Sequence, residues 1–122
     1  MIIGLGSDIV DQRRLEKSLK RFGRRFVDRI LTKTEQKKGL ASFAKRYAAK
    51  EACLKALGTG MRKGLSWHDM VISNDKLGRP LLTLKGGAAA QLKKLAGSKK
   101  ARIHLTLSDE APYALAVVII EI

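Results

Sequence analysis

Arg46, Lys50, Glu51 and Lys55 are the charged residues of an alanine-rich stretch between Ser42 and Leu57 whose spacing suits catalysis, with Lys45 beside them. Residues four apart share a helix face, so Tyr47, Glu51 and Lys55 align, and Arg46 and Lys50 form the adjacent row. That spacing can present a carboxylate flanked by cations. It can equally describe a solvated helix with a Glu51–Lys55 pair worth about 0.3–0.5 kcal/mol. Asp8 brings a second acid, alone in the apolar run from Ile2 to Val10. An aspartate in such a run needs a cation, backbone donors or a metal. Either Asp8 is a second capping residue ahead of Asp11, or Asp8 and Glu51 are two hard-oxygen ligands. Mg²⁺ accepts one or two protein carboxylates and completes its shell with water and substrate phosphate, which suits the surrounding lysines and arginines.

Other chemistries find less support. Two histidines, His68 and His104, and one cysteine, Cys53, do not make a zinc centre. His68 beside Trp67 reads as a surface or turn residue. His104 reads as a core histidine or as a hydrogen-bond partner for phosphate. Cys53 reads as a small buried residue. Gly58-Thr59-Gly60 with Lys63 is a weak phosphate-loop pattern and also an ordinary helix end. There is neither a Walker loop nor a Gly-x-Ser-x-Gly elbow.

The elements that must position these residues follow from periodicity. Ile2 to Val10 reads as a strand in which Gly4 and Gly6 mark a bulge or close backbone approach. Asp11 caps a helix over 12–22. Its apolar face is Leu15, Leu19 and Phe22, its other face is basic, and Gly23 stops it. A short helix carries Phe26, Val27, Ile30 and Leu31. Thr32 or Thr34 caps a segment over 35–40. The long helix spans 42–57 and ends at Gly58-Thr59-Gly60. Strands follow at 70–73 and 79–84 around the turn 74–78, then a helix over 88–96 and strands at 102–108 and 113–122, joined by a hairpin connection at 108–112. This order predicts one α+β domain over residues 1–122: a mainly antiparallel sheet, a long central helix, and further helices packed on one side.

The chain has 122 residues, 45% hydrophobic but only 5% aromatic, so its core must be Leu, Ile, Val and Ala. A lone cysteine excludes an intrachain disulfide. Met1 to Val10 is short, broken by Asp8 and has no basic region before it, so it does not read as a signal peptide. No run reaches the roughly 20 apolar residues of a membrane span, and the expected location is the cytoplasm. The net charge of +14 attracts polyanions: nucleic acid, anionic lipid, phosphorylated ligands or an acidic protein.

Three blocks together resemble the short bacterial holo-[acyl-carrier-protein] synthases of the 4′-phosphopantetheinyl transferase superfamily. They are Gly4-Leu5-Gly6-Ser7-Asp8-Ile9-Val10-Asp11 followed by Arg14; Arg46-Tyr47-Ala48-Ala49-Lys50-Glu51-Ala52 through Gly60; and His104-Leu105-Thr106-Leu107-Ser108-Asp109-Glu110. Gly78-Arg79-Pro80 adds a shorter match. The middle block is the specific one, and residues 35–43 are shorter and more basic than in many relatives. The resemblance implies that phosphopantetheine moves from coenzyme A to a serine of apo acyl carrier protein, releasing adenosine 3′,5′-bisphosphate, in fatty acid biosynthesis. It implies Asp8 and Glu51 as Mg²⁺ ligands. Glu51 or a metal-held water would take the serine proton, and Lys55 would serve the leaving group. Arg46, Lys50 and Lys55 would meet coenzyme A phosphates, His104 the 3′-phosphate, and Gly58, Thr59, Gly60 and Pro80 would shape the nucleotide pocket. Arg14, Lys17, Arg21, Phe22 and Arg24, with Leu15 and Arg25, would dock the acidic carrier. Family members of this length resemble homotrimers with sites at subunit interfaces. A nucleic-acid module is the main rival, disfavoured by the lack of interleaved aromatics. A non-catalytic subunit is the second, and it would tolerate Glu51→Gln.

Overall fold

The computed structural model describes residues 1–36, 39–62 and 64–122. The chain forms β1 (Ile2–Asp11), α1 (Gln12–Phe22), α2 (Arg24–Ile30), α3 (Leu40–Leu57), β2 (Met70–Asn74), β3 (Pro80–Leu84), α4 (Gly86–Ala96), β4 (Arg102–Glu110) and β5 (Tyr113–Glu121), with 3₁₀ turns at Lys33–Glu35 and Trp67–Asp69. An antiparallel sheet runs in the order β1-β5-β4, and β2 and β3 form a second, two-stranded one. The α+β expectation holds, with two antiparallel sheets in place of one.

The geometry of the site begins with how closely α3 lies on the larger sheet. Along β5, Ala116, Val118 and Ile120 point inward, against Ala48, Ala49, Ala52, Cys53 and Ala56 of α3, while Ala114 packs with Leu15, Phe43 and Ala44. Small side chains on both layers let the backbones approach. At β1 even a methyl group is too large: a Cβ on Gly4 would stand 2.4 Å from the carbonyl oxygen of Ala56, and one on Gly6 would stand 2.0 Å from that of Ala52. Close approach is therefore the reading of these glycines that holds throughout; the register also shifts between Ile2 and Gly4.

Cap chemistry sets the helix ends. The Asp11 side chain accepts from the Arg13 amide at the start of α1. Gly58, at φ 77°, closes α3 in the left-handed region. Thr32 does cap, but it caps the 3₁₀ turn Lys33–Glu35, with Glu35 reaching back to the Thr32 amide. The segment expected over 35–40 is thus divided: Glu35 ends that turn and Leu40 already opens α3, two residues before the expected start. Lys37, Lys38 and Lys63 lie outside the described residues. An aromatic cluster of Phe26, Phe43, Tyr47 and Trp67 joins α2 to α3, with ring centroids 5.6–6.4 Å apart. No helix among the described residues is long and apolar enough to cross a membrane.

Candidate active site

Because Gly6 rests on the backbone of α3, the next inward residue of β1, Asp8, comes level with the turn that carries Glu51 and Lys55. Lys55 Nζ donates to the Ser7 carbonyl at 2.8 Å and to Asp8 Oδ1 at 3.3 Å. Asp8 and Glu51 line one cavity of about 400 Å³, together with Asp11, Arg14, Ser18, Phe26 and Tyr47. The two acids, 43 residues apart in the chain, converge. Burial pushes the Glu51 carboxyl above its usual range, and the negative charge of Asp8 pushes it further, while Lys55 and the Tyr47 hydroxyl oppose this. The Tyr47 hydroxyl is also raised, first by burial and then by Glu51 and Asp8.

Two carboxylates facing one cavity, one of them raised by burial and by its neighbour's charge, make a site suited to a hard cation. Among the described residues, no group of three or more His, Cys, Asp or Glu side chains could hold a metal. A two-carboxylate site fits Mg²⁺, which takes few protein oxygens and fills its shell from water and phosphate.

Two of the expected phosphate ligands are elsewhere. Lys50 is fully buried, with Nζ donating to Glu35 Oε1 at 2.7 Å, the Ile30 carbonyl at 2.6 Å and the Trp67 carbonyl at 3.2 Å. All three ammonium protons are used inside the fold, so none is free for coenzyme A. Burial pushes its ammonium down, with Glu35 resisting. Arg46 is buried too and donates to the Glu35 carbonyl at 2.6 Å and to Ser42 Oγ. The row Arg46–Lys50 exists, but it faces the interior. Spacing specifies which residues share a face, and only packing decides which face is covered.

The remaining expected residues occupy separate places. His104 is exposed on the sheet face opposite α3, bonded to Glu121 at 2.7 Å, so it is not a core histidine. With Pro80, Arg79 and Thr106 it lines a groove of about 580 Å³ between β3 and β4. Thr59 lines a third cavity, of about 350 Å³, with Arg62 and Lys94. Gly58 and Gly60 flank it in chain order, Gly60 at φ 61°. Within one chain, then, neither His104 nor Pro80 lines the Asp8–Glu51 cavity. His68 is exposed, as expected, its Nε2 2.6 Å from the Asp28 carbonyl. Cys53 is buried and its thiol is pushed up to about 12, which makes it a poor nucleophile.

The basic face divides as well. Arg14 lines the carboxylate cavity. Arg21 and Phe22 line a neighbouring groove of about 630 Å³ with Arg25, Phe26 and Arg29, and Phe26 borders both. Lys17 stands exposed on α1. Arg24 turns the other way, bonded to Asp28 and to Gln36 at 2.6 Å, and Leu15 is core. Leu15 is therefore not a surface contact, whereas Arg24 stays exposed but lines the opposite side of α2. Sequence reasoning missed Arg29 and the buried role of Glu35. The recurrence of arginine at 21, 25 and 29, and the Thr32-x-x-Glu35 capping box, were the signals that pointed to them.

Fold and site together define a class: an α+β domain in which a strand and a long helix each contribute one carboxylate to a cavity bordered by cationic helices. The 4′-phosphopantetheinyl transferase superfamily profile matches residues 4–118. The holo-[acyl-carrier-protein] synthase of Brucella ovis is 54% identical over 129 residues, spanning 99% of this chain and 96% of the relative. The crystal structure of the Neisseria meningitidis synthase is 38% identical, with a TM-score of 0.89 and 100% of both chains covered. The Helicobacter pylori synthase in complex with coenzyme A is 35% identical, with a TM-score of 0.83, covering 96% of this chain and 99% of that one. The chain belongs to the 4′-phosphopantetheinyl transferase superfamily, with the holo-[acyl-carrier-protein] synthases as its relatives, and is an enzyme.

Proposed function

We propose that the chain transfers 4′-phosphopantetheine from coenzyme A to a serine of apo acyl carrier protein, with Mg²⁺, in the cytoplasm, as a step of fatty acid biosynthesis. The observation that carries this is the convergence of Asp8 and Glu51 on one cavity, with Lys55 bonded to Asp8.

Asp8 and Glu51 are the residues that would hold the cation. Bound there, Mg²⁺ supplies charge neutralisation and Lewis acidity toward the pyrophosphate. The serine oxygen forms its bond to the β-phosphorus as the phosphoanhydride bond to adenosine 3′,5′-bisphosphate breaks. Glu51, its proton affinity raised by burial, takes the hydroxyl proton. Lys55, more than half exposed at the cavity edge, offers its ammonium to the leaving phosphate. Arg14 at the cavity wall, then Arg21, Arg25 and Arg29 around Phe22, present a cationic path to an acidic carrier, with Lys17 beside it.

His104, Pro80 and the Gly58–Gly60 loop remain the nucleotide contacts in this reading, and a homotrimer accounts for their separation from the carboxylates. The sheet face opposite α3 carries Leu5, Ile9 and Leu115 exposed, beside Val117 and Ile119. That apolar face fits a second copy of the chain, which would bring one subunit's His104 groove toward another's carboxylates. Mass spectrometry tests the whole reading. Chain, apo carrier, coenzyme A and Mg²⁺ should add one phosphopantetheine mass to the carrier, and EDTA should abolish it. No addition to any of several carriers would sink it.

A further inference from the structure

The strongest polar cluster outside the carboxylate cavity is the one that withdrew Lys50 and Arg46 from it. Lys50 and Glu35 are 0% and 1% exposed. Glu35 Oε1 also accepts from the Thr32 amide at 2.8 Å and the Thr32 hydroxyl at 3.1 Å, and Oε2 accepts from the Ile72 amide at 2.8 Å. Arg46 holds the Glu35 carbonyl. Through these two side chains the end of α2, both 3₁₀ turns, α3 and β2 are tied at one point. No buried side-chain nitrogen or oxygen among the described residues lacks a partner.

Such a hub is a poor way to gain stability. A buried ion pair is costly to desolvate, and apolar residues of equal volume often do as well or better. What it supplies is direction. The aromatic cluster of Phe26, Phe43, Tyr47 and Trp67 makes non-directional contacts and tolerates sliding. Bonds of 2.6–2.8 Å to fixed carbonyls and amides do not. The element most in need of this is α2. It has seven residues, no side-chain cap, and is far below the length at which a helix holds itself. Yet it carries Arg25 and Arg29, while Lys50 precedes Glu51 on α3.

We infer that the Lys50–Glu35 pair is a positioning device for the transfer reaction: it sets α2, with its docking arginines, in register with the turn of α3 that presents Glu51. The inference rests on the function proposed above. Neither residue touches substrate; both act through the placement of other groups.

The test is the charge-neutral double variant Lys50→Met with Glu35→Gln, alongside the milder Arg46→Met, which cuts the guanidinium bond to the Glu35 carbonyl. Hydrogen–deuterium exchange reads the coupling with no reaction required: amides of Arg24–Ile30 should lose about tenfold or more in protection while those around Ala52 keep theirs. In parallel, kcat should fall by about 10- to 100-fold, with KM for coenzyme A held within about threefold. Unchanged protection of α2 overturns the inference. So does a loosened α2 with kcat intact, or a kcat loss no larger than the loss of folded protein. If the double variant does not fold, Arg46→Met is judged on the same readings. A parent chain that transfers nothing sinks the proposed function instead, and exchange alone then decides whether the pair holds α2 to α3.

Discussion

Glu51 lines the same cavity as Asp8. It is half-buried, faces another acid, and has Lys55 one helical turn further on. A side chain kept there for its charge and proton affinity loses both as an amide of the same shape. Glu51→Gln should therefore cut transfer by about 10²–10⁴-fold while the thermal melt stays near that of the parent. Melting and single-turnover mass spectrometry check the two halves. Equal transfer by the variant would return the chain to the non-catalytic reading. His104 lends itself to a quieter measurement. Its hydrogen bond, then the charge of Arg102, holds the Glu121 carboxyl below its usual value of 4.5. A depressed carboxylate contributes stability above its unfolded pKa and loses it as pH falls through the lower folded value. His104→Ala should raise the Glu121 midpoint toward the ordinary range, read by NMR titration of its side-chain carbonyl. An unmoved midpoint would show that the bond does not form in solution.

At the scale of elements, the contact between β1 and α3 decides whether a site exists. Gly6 lies against the Ala52 carbonyl, and both partners are backbone. In Gly6→Ala the added methyl cannot be accommodated by rotating a side chain. The strand and helix must separate, at about 1–3 kcal/mol or more for overpacking. Asp8 and Lys55 move apart with them. The expected outcome is a lower melting temperature and a transfer rate reduced beyond what the folded fraction explains. A variant that melts and turns over like the parent would mean that the helix is not pinned at this point.

For the whole molecule, the open face of the larger sheet is the feature that a single chain leaves unsolved. Leu5 and Ile9 are 66% and 64% exposed there, in a chain too small to bury much surface alone. Leu5→Glu places a charge on this face, beside Ile119 of the central strand. Light scattering should show the parent as a trimer and the variant as a smaller species, with transfer lost because His104 no longer meets a neighbour's carboxylates. A parent that scatters as a monomer would remove the trimer and leave the separation of His104 from Glu51 to another cause.

By itself the sequence determined the element order and offered a bulge or a close approach for the glycines of β1; it brought forward Asp8 and Glu51 as candidate ligands, and the family resemblance added Lys55 to them. These are properties of local pattern: period 2 or 3.6, a cap, a small residue where backbones touch. Tertiary structure alone decided which cations were available. Arg46 and Lys50 share their helix with Glu51, Lys50 directly beside it, yet burial against Glu35 turns them into internal ties. Arg24 was drawn away by Asp28 and Gln36, and Arg29 was brought in. The physical reason is that spacing sets the angle between side chains on a helix, whereas long-range packing sets which angle meets water.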